Sequence, residues 1–480
     1  MRKILFTVVV SFFIIHVCHA QGYQVSVQCN YKSGIAYLAF HSGNNNFSVA
    51  DSAAFSNKGL AVFKGSKKLT PGIYAIVFPG KNFSADFLLD KEQIISIKAD
   101  TANLADMIVK GSKENILFQQ YQKFVNAKGK QLTLEKNAYT KAATAKDSAL
   151  HEANYNRYNT ELNNYRNSII INQSTSMMAS LLNAMKESPY PAKIPVTRQD
   201  SLDNYNFYKQ HYWDGVTFMD ERIMRTPFFL SKLEKYYREV MPQAADSLIK
   251  DIDYKLLLAR TAPEMYKYLL NWFTDEYINP KYMGQDAVFV HLFENYHSKG
   301  LTNWLNKKQL DIISRRAYMQ MANLIGEKAA NIEMLDTAGR SSPLYDVIAE
   351  YTVVIFWDPD CGHCKEELPK IDSVYRASWQ KNNVKIYAVL SENEKTAWLK
   401  YIQQHNLTDW VNVYETKEME AADAAAQKPG FRQLFDVTMT PTLFLLDKEK
   451  RIIGKKLTWQ QLNDLLQLKI NTSKTVNNNK

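Results

Sequence analysis

Cysteine is scarce in this chain: there are four in 480 residues, and one of them, Cys18, lies inside an N-terminal apolar run. The remaining three, Cys29, Cys361 and Cys364, are too few for a disulfide framework. Glycine (17) and proline (14) fall below their usual shares of roughly 7% and 5%, so turns are sparse and an all-β chain is disfavoured. Long apolar runs are missing too. Beyond residue 20 no stretch approaches the ~18 residues that cross a bilayer, the longest resembling Tyr351 to Trp357. Neither sign of charge dominates, since 59 basic against 49 acidic residues give +10, with pairs such as Lys455-Lys456 and Glu366-Glu367 interspersed. That pattern reads as a solvated surface, not a nucleic-acid interface. What is present is a hydrophobic fraction of 46% against 22% charged, the balance of a chain that buries real cores. A length of 480 residues suggests about three domains.

The N-terminus reads as an address. Arg2 and Lys3 precede the apolar run Ile4 to Val17, and Cys18-His19-Ala20 offers small residues where a signal peptidase inspects them. Residues 1–20 are therefore expected to be a signal peptide, placing the protein in the periplasm. Two rivals stay open: a lipoprotein anchored at Cys18, which His16 and Val17 disfavour, and a retained membrane anchor.

Residues 21–100 show short alternating runs, among them Ile35 to Phe40, Gly59 to Phe63, Ile73 to Phe78, Ser84 to Leu88 and Ile94 to Ile97, separated by turns such as Asn44-Asn45-Asn46 and Pro71-Gly72. This predicts a small β-sandwich. Cys29 alternates with Val25, Val27 and Tyr31 and reads as a strand-core residue. Over 101–324 the period becomes helical, with an aromatic stripe at Tyr155, Tyr158, Leu162, Tyr165 and Ile169, and Asp286 is placed to cap its own helix. Over 325–470 strands and helices alternate, as in an α/β unit with a central sheet. The tail 471–480 is expected to be disordered.

The chemistry sits at Cys361-Gly362-His363-Cys364, where the apolar run Thr352 to Trp357 gives way to a helix. The spacing puts both sulfurs one turn apart on one helix face, close enough to bond. Cys361, at the helix N-terminus, meets unpaired backbone N–H groups and the positive end of the helix dipole, so its thiolate is favoured and it is the expected nucleophile. Cys364 is the resolving thiol. His363 can add positive charge or a hydrogen bond, whereas Asp358 and Asp360 should raise the Cys361 pKa.

The run Phe356-Trp357-Asp358-Pro359-Asp360-Cys361-Gly362-His363-Cys364-Lys365-Glu366-Glu367-Leu368-Pro369, followed by Met439-Thr440-Pro441-Thr442, resembles the TlpA/ResA branch of the thioredoxin-like fold. The resemblance implies that Trp357 packs beside the active site and contributes to substrate binding, and that Pro369 kinks the first helix. It also implies that Thr440-Pro441 is a cis bond facing the cysteines and offering backbone to an extended substrate, and that Glu367 accepts a proton from Cys364. One departure matters: Ile355 stands where thioredoxin carries a buried aspartate. The preceding chain, through His211-Tyr212-Trp213-Asp214, Asp220-Glu221-Arg222 and the run from Gly284 to His291, is similar to exported Bacteroidetes proteins that join a β-domain and a helical domain to this redox domain. His211 and His291 read as core or capping residues.

The expectation is thus a multidomain oxidoreductase with a β-sandwich, an all-α middle and a thioredoxin-like α/β domain, using no cofactor and no metal. Its expected partners are protein thiols and disulfides, together with a membrane reductase or oxidase that recharges the pair. A peroxidase is the enzyme rival, but Asp358 stands where a threonine or serine is needed three residues before the reactive cysteine. A metal site on Cys361, His363 and Cys364 lacks a fourth ligand. The remaining alternative is an envelope binding protein whose redox domain only docks partners.

Overall fold

The computed structural model describes residues 22–478 apart from 44–45, 82–83, 192–193 and 393–394. The expected leader, with Cys18, lies outside the described residues. The chain divides into two compact units, Met1–Met241 with Leu257–Tyr268, and Pro242–Leu256 with Leu269–Lys480.

The first unit begins with eight strands: β1 (Tyr23–Gln28), β2 (Ile35–His41), β3 (Phe47–Ala54), β4 (Leu60–Gly65), β5 (Gly72–Val77), β6 (Ser84–Leu89), β7 (Ile94–Lys98) and β8 (Ile108–Lys110). They form two four-stranded sheets, ordered β4-β1-β7-β8 and β3-β2-β5-β6. Alternating inward residues such as Val25, Val27, Leu38, Phe63, Tyr74 and Phe87 fill the space between the sheets. β8 carries the sheet past the expected limit at residue 100. β3 escaped the sequence pattern because it is an edge strand with no fully buried residue, so it carries little apolar alternation. Cys29 is buried in this core just after β1, as its alternation predicts. Gly59 crosses it with φ +76°, and an added Cβ would sit 2.2 Å from the Cys29 carbonyl oxygen, so only glycine fits there.

Helices α1 (Lys113–Lys141) and α2 (Ala145–Asn172) form a long hairpin, capped by Ser112 and Thr144, with Phe124 against Tyr165 at 4.2 Å between ring centres. Asn115 at the base of α1 is fully buried, accepting from the Leu88 amide (2.8 Å) and donating to the Leu88 carbonyl (2.6 Å). A side chain there serves the backbone of β6, the last strand of its sheet. α3 (Met177–Ala184), α4 (Arg198–Gln210) and α5 (Phe229–Lys235) follow. α6 (Ala245–Ala259) and α7 (Pro263–Tyr277) contribute residues to both units, so the helical stretch expected as one domain is shared between them.

The second unit continues with α8 (Asp286–Leu292) and α9 (Lys307–Met321), then builds a six-stranded sheet in the order β14-β13-β10-β11-β12-β9. Its strands are β9 (Leu335–Asp336), β10 (Tyr351–Trp357), β11 (Val384–Leu390), β12 (Val411–Tyr414), β13 (Thr442–Leu446) and β14 (Ile452–Lys455). β10 is central, parallel to β11 and antiparallel to β13, and every residue in it is buried. Val353, Ile355 and Trp357 enter one core, and Val354 and Phe356 enter the other, which is why the sequence run is continuously apolar. The flanking helices are α10 (Gly362–Val374), α11 (Lys395–Gln404), α12 (Lys417–Ala425), α13 (Phe431–Leu434) and α14 (Trp459–Asn478).

Two expectations are corrected here. Asp286 does not cap α8. It is the first helical residue, and its buried carboxylate pairs with Lys455. The tail expected to be disordered from 471 instead prolongs α14 to Asn478, since no proline or glycine interrupts the hydrogen bonding that propagates from the packed turns of Leu462 and Leu466.

Candidate functional site

β10 ends at the buried Trp357, and Asp358-Pro359-Asp360 turns the chain into α10, reaching the surface at Asp360. The turn is closed locally: the Asp360 amide donates to Asp358 Oδ1 at 2.7 Å and the Cys361 amide to the Asp358 carbonyl at 3.3 Å. Cys361 is the N-cap residue of α10, with φ −69° and ψ 123°, and Cys364 lies in the first turn. Pro369 falls inside this helix, as the resemblance implies.

The two thiols live in different surroundings. Cys361 is half-buried and Cys364 is fully buried, and neither is disulfide-bonded. Burial alone would raise the Cys361 thiol, but hydrogen bonding by the Thr440 side chain, the amides of Cys364 and His363 and the Cys364 thiol outweighs it and holds Cys361 below the ordinary cysteine value. The opposing pull expected of Asp358 and Asp360 does not win. For Cys364 burial dominates, and with the neighbouring Cys361 it pushes the thiol up to about 12, against a favourable hydrogen bond from the Asp358 amide.

The Thr440–Pro441 peptide is cis, and the Cys361 Sγ lies 3.2 Å from the Thr440 carbonyl oxygen. The sequence thus places Cys361, Cys364, Thr440 and Pro441 together, although Pro441 is far away along the chain. Met439 beside them is 72% exposed, so the loop presents an apolar side chain to solvent.

The other predicted residues take different parts. Trp357 is fully buried with its ring 5.2 Å from Tyr401, so it supports the cysteines from within the core and offers no surface to a substrate. The His363 side chain is exposed, and it is the His363 amide that serves Cys361. Glu367 is half-buried one turn beyond Cys364, whose thiol is governed most by burial, the Asp358 amide, Cys361 and Thr440. Ile355 is buried in β10 and brings no proton acceptor. His211 pairs with Asp214 at 2.7 Å and His291 with Asp253 at 2.9 Å, and neither contact includes a cysteine.

Sequence reasoning missed Tyr401. It sits on α11 with a buried hydroxyl, and burial followed by the nearby Cys364 holds it in its protonated form. No local motif marks it. Among the described residues no group of three or more His, Cys, Asp or Glu could hold a metal ion.

Residues 325–455 match the AhpC/TSA family, and residues 158–326 and 23–118 match two domains of unknown function, DUF5106 and DUF4369. A thiol-disulfide oxidoreductase ResA of Bacillus cereus is 26% identical over 146 residues, 30% of this chain and 77% of its own. A crystal structure of a domain of a possible thiol-disulfide isomerase from Cytophaga hutchinsonii is 36% identical, covering 32% of this chain and 97% of that one, with a TM-score of 0.28. A thioredoxin-like protein from Bacteroides caccae is 20% identical and covers 59% of this chain and 99% of its own, with a TM-score of 0.45.

Proposed function

Residues 325–455 belong to the AhpC/TSA family of thioredoxin-like domains and are TlpA/ResA-like, and from that premise we propose a periplasmic thiol-disulfide oxidoreductase that acts on protein substrates through a Cys361 mixed disulfide resolved by Cys364. The observation that carries the order of steps is the asymmetry of the pair: an accessible thiol held below its usual pKa beside a buried one pushed to about 12. At neutral pH Cys361 is the better nucleophile, and Cys364 keeps its proton until a disulfide forms next to it.

In the reducing direction the Cys361 thiolate attacks one sulfur of a substrate disulfide. A Cys361–substrate bond forms, and the other substrate sulfur leaves as a thiolate. Cys364 then attacks the Cys361 sulfur, the Cys361–Cys364 bond forms and the second substrate thiolate departs. Two electrons have passed from the pair to the substrate. The reverse sequence oxidises a dithiol, and a membrane redox partner resets the pair in either direction. The backbone of Met439 and Thr440, beside Cys361, offers hydrogen bonds to an extended substrate segment. Export is supported by the apolar run from Ile4 to Val17 behind Arg2 and Lys3. No helix among the described residues is long and apolar enough to cross a membrane.

The test is trapping in the native envelope. Cys364→Ser keeps attack and loses resolution, so it should accumulate reductant-sensitive adducts with partner proteins, while Cys361→Ser accumulates almost none. Equal trapping by both variants would overturn the order of roles.

A further inference from the structure

Resolution requires Cys364 to lose a proton, and Glu367, to which the resemblance assigns it, is half-buried one turn on and is not among the groups that govern the Cys364 thiol most. Cys364 is fully buried and its thiol is pushed to about 12. Ile355 supplies no base, and the Tyr401 hydroxyl, kept protonated, is not one either. Asp358 is different. The residue is only 7% exposed, and Oδ1 accepts from the Asp360 amide. Its second oxygen, Oδ2, is buried without a hydrogen-bond partner. A buried carboxylate oxygen left unpaired is costly, and such groups call for an explanation of the kind that catalysis provides. Asp358 is also bound to the reacting atom, because its own amide donates to the Cys364 sulfur.

We propose that the Asp358 carboxylate is the base that takes the Cys364 proton during resolution, its amide meanwhile supporting the thiolate that results. The proposal rests on the reading that Cys361 attacks and Cys364 resolves. In the step, the Cys364 S–H bond breaks and the proton passes to Asp358 Oδ2. The thiolate attacks the Cys361 sulfur, the Cys361–Cys364 bond forms, and the departing substrate thiolate takes a proton from the medium, to which Asp358 later returns its own. The titratable groups around this step are Cys361, Tyr401, His363, Glu367, Asp360 and Lys365, the last two paired at 3.9 Å. Of these, Tyr401 touches the same core as Cys364, whereas His363, Asp360 and Lys365 are exposed.

The two steps can be timed separately with dithio-bis(nitrobenzoate), an aromatic disulfide whose leaving thiolate is coloured. With the reduced full-length protein, attack by Cys361 releases one coloured thiolate and resolution by Cys364 releases a second. In Asp358→Asn the first release should stay within about twofold of wild type, and the second should slow on the order of 100-fold at pH 7, recovering about tenfold per pH unit as hydroxide replaces the carboxylate. Unchanged second release overturns the proposal. So does equal slowing of both releases, which would make Asp358 a shaper of the turn. The unmutated protein gives an independent reading should the variant not fold: its second release should not track hydroxide concentration, because a group of the protein takes the proton. A rate climbing about tenfold per pH unit at neutral and alkaline pH excludes such a base. Failure of the underlying reading looks different, since Cys364→Ser would then still release two thiolates, or Cys361→Ser would release the first as fast as wild type.

Discussion

Arg316 on α9 donates to Asp436 at 2.6 Å, joining a helix that precedes the sheet to the residue at the root of the loop that carries Thr440 and Pro441. Asp436 is 2% exposed, adopts a positive φ of 47°, and also pairs with Lys456. Arg316 further donates to the Ile278 carbonyl, and Asn323 to the Leu434 carbonyl, so α9 and the chain just after it hold this loop from outside the segment matched to the AhpC/TSA family.

Arg316→Ala would leave the Asp436 carboxylate buried with one cation in place of two. Removing one member of a buried pair costs about 3 kcal/mol or more, far above the value of a surface pair. The variant should therefore unfold at clearly lower denaturant. Arg316→Met combined with Asp436→Asn, which removes both charges and keeps a residue tolerant of positive φ, should recover more than half of the loss. Additive losses in the double variant would mean that the two side chains do not act on each other.

Lys455 at the end of β14 makes a second such junction. Its ammonium is buried, bonded to Asp286 on α8 and to the backbone and side-chain oxygens of Asn323. Burial lowers its pKa and Asp286 opposes that fall. In the full chain Lys455→Met strands Asp286 in the interior and should cost about 3 kcal/mol. In a fragment beginning at residue 325 Asp286 is gone, and the same substitution should change stability by less than about 0.5 kcal/mol, as at a surface site. Equal losses in the two backgrounds, read from urea midpoints, would show that Lys455 is needed for packing within the sheet alone.

The redox pair was legible because its chemistry is local: one turn of helix after an all-apolar strand fixes both sulfurs, and the helix N-terminus fixes which one is acidic. The fold class was legible for the same reason, since β10 is buried on both faces and β1 on one, and each leaves its period in the sequence. Arg316–Asp436 and Lys455–Asp286 left no such trace. A lysine next to another lysine reads as solvated surface until a distant helix covers it, and Asn115 reads as an ordinary helix residue until Leu88 is seen beside it. Trp357 was misread in one respect. The resemblance put it at the substrate, but the Trp357 ring is fully buried against Tyr401, and it is the turn Asp358-Pro359-Asp360 that brings Cys361 outward.

The last prediction concerns pH and the reduced protein. In the unfolded chain a cysteine ionises near 8.5, whereas the folded state holds the Cys364 proton up to about 12. The folded state therefore binds more protons in this range, so the stabilisation from Cys364 is complete below about pH 8.5 and is lost as pH rises towards 12. Cys361 has the opposite sign: its lowered pKa gives a contribution present above the unfolded value and lost as pH falls through the folded one. Cys364→Ala removes the first term and leaves the second nearly intact. Between pH 7 and pH 10 the reduced wild-type protein should lose roughly 2 kcal/mol more than this variant. Oxidised protein, with no thiol left to titrate in the pair, should show neither contribution. If reduced wild type and variant decline in parallel, Cys364 is not held protonated by burial. Resolution would then need no base, and the Asp358 assignment would fall with it.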